Sequence, residues 1–503
     1  MHRTANADIA EAPVVLALKG NYADPSIIRV GADYYMTHTS YKHVPGLIVW
    51  HSRDLLRWTP ISAALHEYVG DVWAPELVCH EGKFYIYFPA ARTNWVVTAD
   101  SPHGPWSRPV DLKLKGIDPG HVAGPDGNRY LYVSGIDIVP LSDDGMSVVG
   151  PPRRVYEGWH YPAEWEVEAF GLEGPKATYR NGYYYMTAAE GGTAGPPTSH
   201  MVVSSRSRTP WGPWEHSPYN PIVRTASASE RWWSRGHGTL ADTPHGDWYI
   251  AYHGYLNGFH TLGRQTLLQK VEWTADGWYN IASGTGAERT ELAKAAAQGA
   301  EPQAGGHVAG DDWEDDRLGL HWQWYGEPRR ERFRPGGGEL RVDGAPGESP
   351  PAPLLYMAGD CAYEAEVDVI VRGGAEGRLM LYYNEQAYLG IGVSAGGVRH
   401  FRSHKSYASI PCRGDRVRVR IRNDRHIVSF HYSEDGVHWR KYDKTADASG
   451  FHHNTFGGFL SLRVGLDAAG EGTAVFRRFR YRPLESPGDS GRSGGCEETG
   501  GRA

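Results

Sequence analysis

Five stretches of the chain repeat one pattern. A polar or acidic residue is followed by a short apolar segment, a turn and then a run crowded with aromatic and β-branched residues. They read ADPSIIRVGADYYMT, APELVCHEGKFYIYF, IDPGHVAGPDGNRYLYV, LEGPKATYRNGYYYMTA and GHGTLADTPHGDWYIAYH. Short alternating runs bounded by Gly, Asn and Asp predict β-hairpins. A second piece follows several of these hairpins, in IVWHSRDLLRW, VVTADSPHGPW and MVVSSRSRTPWGPW. Each is a β-branched strand, a polar turn and a tryptophan, as the outer half of a four-stranded blade would supply. The unit recurs every ~45–65 residues, which suits propeller blades with variable loops better than a solenoid. Continuous helical periodicity is nearly absent. The pattern predicts an all-β chain whose first part, about 15–283, is a five-bladed β-propeller. An ordinary β-sandwich with repetitive turns is the alternative reading of the same strands.

The pattern then changes. Residues 284–308 are rich in Ala, Gly and Glu and read as a linker, with a short helical run around RTELAKAAA. From 309 to 484, segments such as AYEAEVDVIV, GRLMLYYNEQAYLGIGV and DRVRVRIRNDRHIVSFHYS alternate apolar and polar positions. They predict a second all-β domain, a two-sheet sandwich. The tail, 485–503, is rich in Gly and Ser and reads as disordered.

Composition narrows the partners. A net charge of −7 with no compensating basic run gives no footprint for a nucleic-acid backbone. The apolar run near the N-terminus is too short for a signal sequence, and no later stretch approaches a membrane span, so a cytoplasmic location is expected. Four scattered cysteines form no disulfide framework or zinc motif.

Propeller geometry supplies the candidate chemistry. The first strand of each blade lines the central channel, so residues at its start converge on one axis. Those positions are Asp24, Glu76, Asp118, Glu173 and His237. Gathering carboxylates is costly unless they are used. Asp24 immediately precedes Pro25, whose ring pushes the residue before it toward extended backbone. Paired carboxylates are the minimal equipment for glycosidic cleavage, one ionised to activate water and one protonated to assist the leaving oxygen. A third carboxylate can hold the acid's pKa up. Trp73, in VWAPEL, and Arg264, in LGRQTLLQ, are candidates for stacking on a sugar and clamping its hydroxyls. Glu76 reads as structural, and Glu164, Glu166 and Glu168 as surface charge.

In this order, ADPSIIRVGADYYMT, VWAPELVCHEGKFYIY, GIDPG, LEGPKATYRNGYYYMTAAEGGT, GHGTL and LGRQT resemble glycoside hydrolase family 43. That family comprises five-bladed propeller enzymes that include inverting β-xylosidases and α-L-arabinofuranosidases. The downstream domain, with LMLYYNEQAYLGIGV, resembles the concanavalin-like C-terminal jelly roll of the family's β-xylosidases. The resemblance implies Asp24 as general base, Glu173 as general acid and Asp118 as the residue that tunes and orients the acid. It further implies Arg264 as sugar clamp, Trp73 as stacking residue and Thr193 as pocket wall. His237 matches a histidine associated with a bound calcium ion or its water shell; no organic cofactor is implied. The implied substrate is an oligosaccharide that loses a terminal pentose, β-D-xylose before L-arabinose. A propeller that binds carbohydrate without catalysis, or one that binds protein, are the rival classes. The sandwich could close the pocket, bind glycan or mediate a homo-oligomer.

Overall fold

The computed structural model describes residues 12–283, 309–346, 351–413 and 416–484. The linker reading and the tail reading therefore lie outside the described residues.

Strand-forming residues and tight turns give five antiparallel sheets arranged as blades. Blade I runs Ser26–Val30, Asp33–Thr37, Gly46–Ser52 and Thr59–Leu65, each strand paired with the next. Blades II and III begin at Glu76–His80 and Gly120–Ala123 and repeat this order. Blade IV begins at Leu172–Arg180 and blade V at Trp232–Asp242. The hairpin turns show why glycine recurs. At Glu81–Gly82 and Asn181–Gly182 both residues have positive φ, 49° and 80° in one and 51° and 79° in the other. Such a turn matches the right-handed twist of the flanking strands, and glycine adopts it without steric cost.

The ring is closed by a strand from the start of the chain. Val15–Leu18 pairs antiparallel with Arg264–Trp273 and becomes the outer strand of blade V. Apolar side chains fill the spaces between blades, with Ile86, Val97, Leu131, Val202, Ile250 and Leu267 wholly buried.

The C-terminal domain is organised by two long strands, Ala362–Asn384 and Arg463–Pro483, paired from Tyr363↔Pro483 to Tyr382↔Arg463. One face packs a core that includes Trp322, Tyr356, Leu379, Ile421 and Phe430. Beside that core, carboxylates on the first long strand meet arginines on its neighbours. Asp368 alone pairs with Arg416, Arg418 and Arg478.

The two domains are joined by backbone pairing. His43–Val44, between the second and third strands of blade I, pairs with Trp322–Tyr325 of the sandwich. Gln323 also donates to Pro45 O at 2.7 Å. At blade V, Leu462 N of the sandwich donates to Thr261 O at 2.8 Å. The sandwich is thereby fixed against the propeller face that carries Asp24 and Arg264.

Candidate active site

Asp24 and Asp118 each sit two residues ahead of a first strand, while Glu173 lies inside one near its start. His237 differs: it lies in the middle of Trp232–Asp242, where register shifts on both sides of Gly236 interrupt the pairing. The expected extended backbone at Asp24 is not what the fold uses. Its φ is 56°, and Asp118 and His237 have 55° and 58°. Aspartate tolerates the left-handed region better than most residues, and dense side-chain bonding overrides the preference set by Pro25.

The bonding around Asp24 comes from two blades. Thr39 Oγ1 donates to its Oδ2 at 2.5 Å. Arg264 reaches both oxygens, Nη1 to Oδ1 at 3.1 Å and Nη2 to Oδ2 at 3.3 Å. His253 Nδ1 lies 2.9 Å from Oδ1, and His237 Nδ1 lies 3.5 Å from it. Burial by itself would raise this carboxyl's pKa. Arg264, His237 and the His253 hydrogen bond together outweigh burial and hold it well below the usual carboxylate range. Burial keeps both imidazoles from charging, lowering His253 and taking His237 to about 3. The full positive charge beside Asp24 is therefore that of Arg264. Asp24 is built to be ionised.

Glu173 has the opposite environment. Burial, then the charge on Asp24, push its pKa up to about 7, against a smaller lowering by Arg264. Asp118 is raised well above its ordinary value by burial first and by Glu173 next. Ligand atoms of Asp118, Glu173 and His237 all lie within 4.8 Å of one another. Two buried carboxyls this close resist ionising together. Gly174 N donates to Asp118 Oδ2 at 3.1 Å, which ties the strand bearing the acid to its neighbour. Gly174 has φ 60°, and a Cβ there would lie 2.9 Å from the His237 ring. The residue after Glu173 has to be glycine for the imidazole to pack beneath it.

The remaining candidates fall into place unevenly. Arg264 grips Asp24 and Tyr41 OH, at 3.0 Å from the latter, so its guanidinium is engaged with the Asp24 carboxylate. Thr193 Oγ1 lies 3.4 Å from His253 Nε2, in the wall behind Asp24. Its loop is held by Glu168, whose Oε2 accepts the Ala194 and Gly195 amides. Trp73 is 39% exposed, an open aromatic surface placed by the Tyr41↔Val72 bridge next to the residues that hold Arg264. Glu76 stays out of the cluster. It accepts from Ser26 Oγ at 3.1 Å and His121 N at 3.3 Å, and pairs with Lys176 at 2.6 Å.

Several contributors escaped the sequence reading. Lys176 Nζ also donates to Pro75 O and Pro119 O at 2.9 and 3.2 Å, so one buried cation joins blades II and IV and the segment leading into blade III. LEGPK carried the signal, a lysine three residues beyond Glu173. His253 lies in the second strand of blade V, outside the repeated first-strand positions. Phe459, from the sandwich, places its ring 4.9 Å from the Arg264 guanidinium. No local pattern reports a contact made by another domain. Lys176→Met should lower the unfolding free energy by roughly 3–5 kcal/mol, because Glu76 is left charged and buried. Urea unfolding measures this, and unchanged stability would contradict the clamp.

The donor set does not fit a protein-built calcium cage. Calcium takes six to eight oxygens, whereas Asp118, Glu173 and His237 offer two carboxyls of raised pKa and one nitrogen. No step below passes through a metal.

One buried carboxyl held low and another held high, in a propeller channel beside aromatic and guanidinium groups, is the equipment that glycosidic cleavage requires. The model of the glycosyl hydrolases family 43 matches residues 13–279, and that of the β-xylosidase C-terminal concanavalin A-like domain matches 310–482. The chain belongs to glycoside hydrolase family 43. A xylan 1,3-β-xylosidase of a Vibrio species is 35% identical, over 53% of this chain and 57% of its own length. Xylosidase/arabinosidase 43B of Humicola insolens is 28% identical, over 94% of this chain and 98% of its own. The crystal structure of the GH43 protein BlXynB from Bacillus licheniformis superposes with a TM-score of 0.83 at 26% identity. That match covers 94% of this chain and all of the other.

Proposed function

We propose that the protein is an exo-acting, inverting glycosidase that releases terminal β-D-xylose from xylo-oligosaccharides. The observation that carries this reading is the opposed setting of two carboxyls, Asp24 held far below its ordinary pKa and Glu173 raised to about 7. Asp24 takes a proton from water as the water oxygen bonds to the anomeric carbon. Glu173 gives its proton to the glycosidic oxygen as the bond from that oxygen to the anomeric carbon breaks. The products are a free sugar of inverted configuration and the shortened alcohol, and solvent resets both carboxyls. Burial and the charge on Asp24 keep Glu173 protonated, and Asp118, through the Gly174 amide, fixes the strand that bears it. Trp73 and Phe459 offer aromatic faces to the sugar, and Thr193 closes the wall behind the base. Arg264 orders the base and reaches sugar hydroxyls from there.

The second reading is an α-L-arabinofuranosidase, since the Humicola relative carries both activities in its name. Aryl β-D-xyloside and aryl α-L-arabinofuranoside, assayed side by side with and without EDTA, separate the two. We expect kcat/KM at least tenfold higher on the xyloside, with EDTA changing it less than twofold. Preference for the arabinoside would reverse the substrate assignment, and loss of activity with EDTA would require a metal in the mechanism.

A further inference from the structure

A second cleft lies beside the catalytic pocket, on the seam between the domains. Its volume is about 280 Å³, near the lower end of small-molecule sites and enough for a single sugar ring. The propeller contributes Lys42 and Asp71, and the sandwich contributes Tyr325, Glu385, Gln386 and Leu460. The partition between the two spaces is shared. Tyr41 and Phe459 turn toward Arg264, while their chain neighbours Lys42, Gly458 and Leu460 line the cleft. Asp71 stands two residues from Trp73 and within its hydrogen-bonding reach.

The lining has the chemistry of saccharide recognition. Asp71 Oδ1 is buried with no hydrogen-bond partner among the described residues. Such an oxygen is costly unless a ligand hydroxyl meets it. Glu385 and Gln386 are exposed at the tip of a hairpin whose turn is fixed by Asn384 Oδ1, which accepts the Gln386 and Ala387 amides. Their side chains can reorient while the backbone stays in place. Lys42 Nζ lies 5.5 Å from the centre of the Tyr325 ring, so a donor sits above an aromatic face. Carboxylates and an amide accept from and donate to vicinal hydroxyls, an ammonium donates, and an aromatic face packs on the C–H surface of a sugar.

We propose that this cleft is a saccharide subsite, taking a neutral sugar unit of an oligomeric substrate whose terminal pentose lies at Asp24. The proposal rests on the glycosidase reading. It assigns part of the substrate specificity to the sandwich, through Glu385 and Gln386.

The test compares the wild-type chain with Glu385→Ala, and with Glu385→Ala combined with Gln386→Ala, on aryl β-D-xyloside and on xylotriose. The aryl substrate has one sugar, at the terminal position, and a leaving group without the vicinal hydroxyls that Glu385 and Gln386 would bind. We expect KM for xylotriose to rise about tenfold in the double variant, the scale of hydrogen bonds to a charged group. KM for the aryl xyloside should move less than twofold. Equal changes for both substrates, or none for xylotriose, would overturn the subsite. If the wild-type chain cleaves neither substrate, the glycosidase reading fails, and calorimetric titration with xylotriose still decides the cleft. Weaker binding by the double variant upholds it, and binding equal to wild type overturns it.

Discussion

Replacing Asp24 by asparagine is expected to lower kcat on aryl β-D-xyloside by roughly 10²–10⁴-fold, the usual range for a general acid or base. KM should change little, because asparagine keeps the size and the acceptor oxygen that Thr39 and Arg264 contact. The substitution has a second consequence. Arg264 is buried and, among the described residues, its one carboxylate partner is Asp24, so the variant leaves a buried guanidinium without its counter-charge. Loss of one partner of a buried pair costs roughly 3–5 kcal/mol, reduced here because the amide oxygen still accepts. A lower melting temperature should therefore accompany the loss of turnover. Circular dichroism at the assay temperature separates the two effects. Turnover lost from a fully folded variant assigns Asp24 to the chemistry, and turnover retained would remove it.

Replacing Glu173 by glutamine should abolish cleavage of xylobiose while sparing aryl glycosides whose leaving group needs no proton. The pH profile gives a sharper test. Glu173 acts in its protonated form, so kcat/KM should fall as pH rises through about 7. In Glu173→Gln, with an activated aryl xyloside, that alkaline limb should vanish. The same raised pKa acts on stability. Its folded-state value lies above the ordinary carboxylate value, so folding holds the proton more tightly than the unfolded chain does. Stability therefore declines between about pH 4.5 and 7 and is flat beyond both values. At pH 8 the glutamine variant should melt at a higher temperature than wild type, and at pH 4 the difference should disappear. An alkaline limb that persists in the variant would place the acid elsewhere.

The sequence carried the blades and the carboxyls because both depend on local chemistry. Glycine turns and aromatic strands are written in consecutive residues, ADPS and GIDPG repeat one position of one unit, and LEGPK sets its carboxyl just inside the same strand. Other features depend on residues far apart. Val15–Leu18 closes the ring against Arg264–Trp273, a pairing no neighbouring residue announces. Phe459 reaches Arg264 from another domain, and His43–Val44 leaves its blade to extend the sandwich sheet. At Asp24 the local rule itself failed. Pro25 favours extended backbone at its predecessor, and a ring of partners drawn from two blades imposes φ 56° instead. Charge state was equally hidden. Asp24 and Glu173 look alike in sequence, and their protonation is set apart by Arg264 and the two histidines around one and by burial beside a charged neighbour for the other.

The central claim is that Asp24 activates water on one side of the anomeric carbon while Glu173 protonates the leaving oxygen on the other. Proton NMR during hydrolysis of an aryl β-D-xyloside, recorded before mutarotation, reads the first sugar released. The account predicts α-D-xylose as that first product, with the β anomer appearing only afterwards. Initial release of β-D-xylose would contradict it.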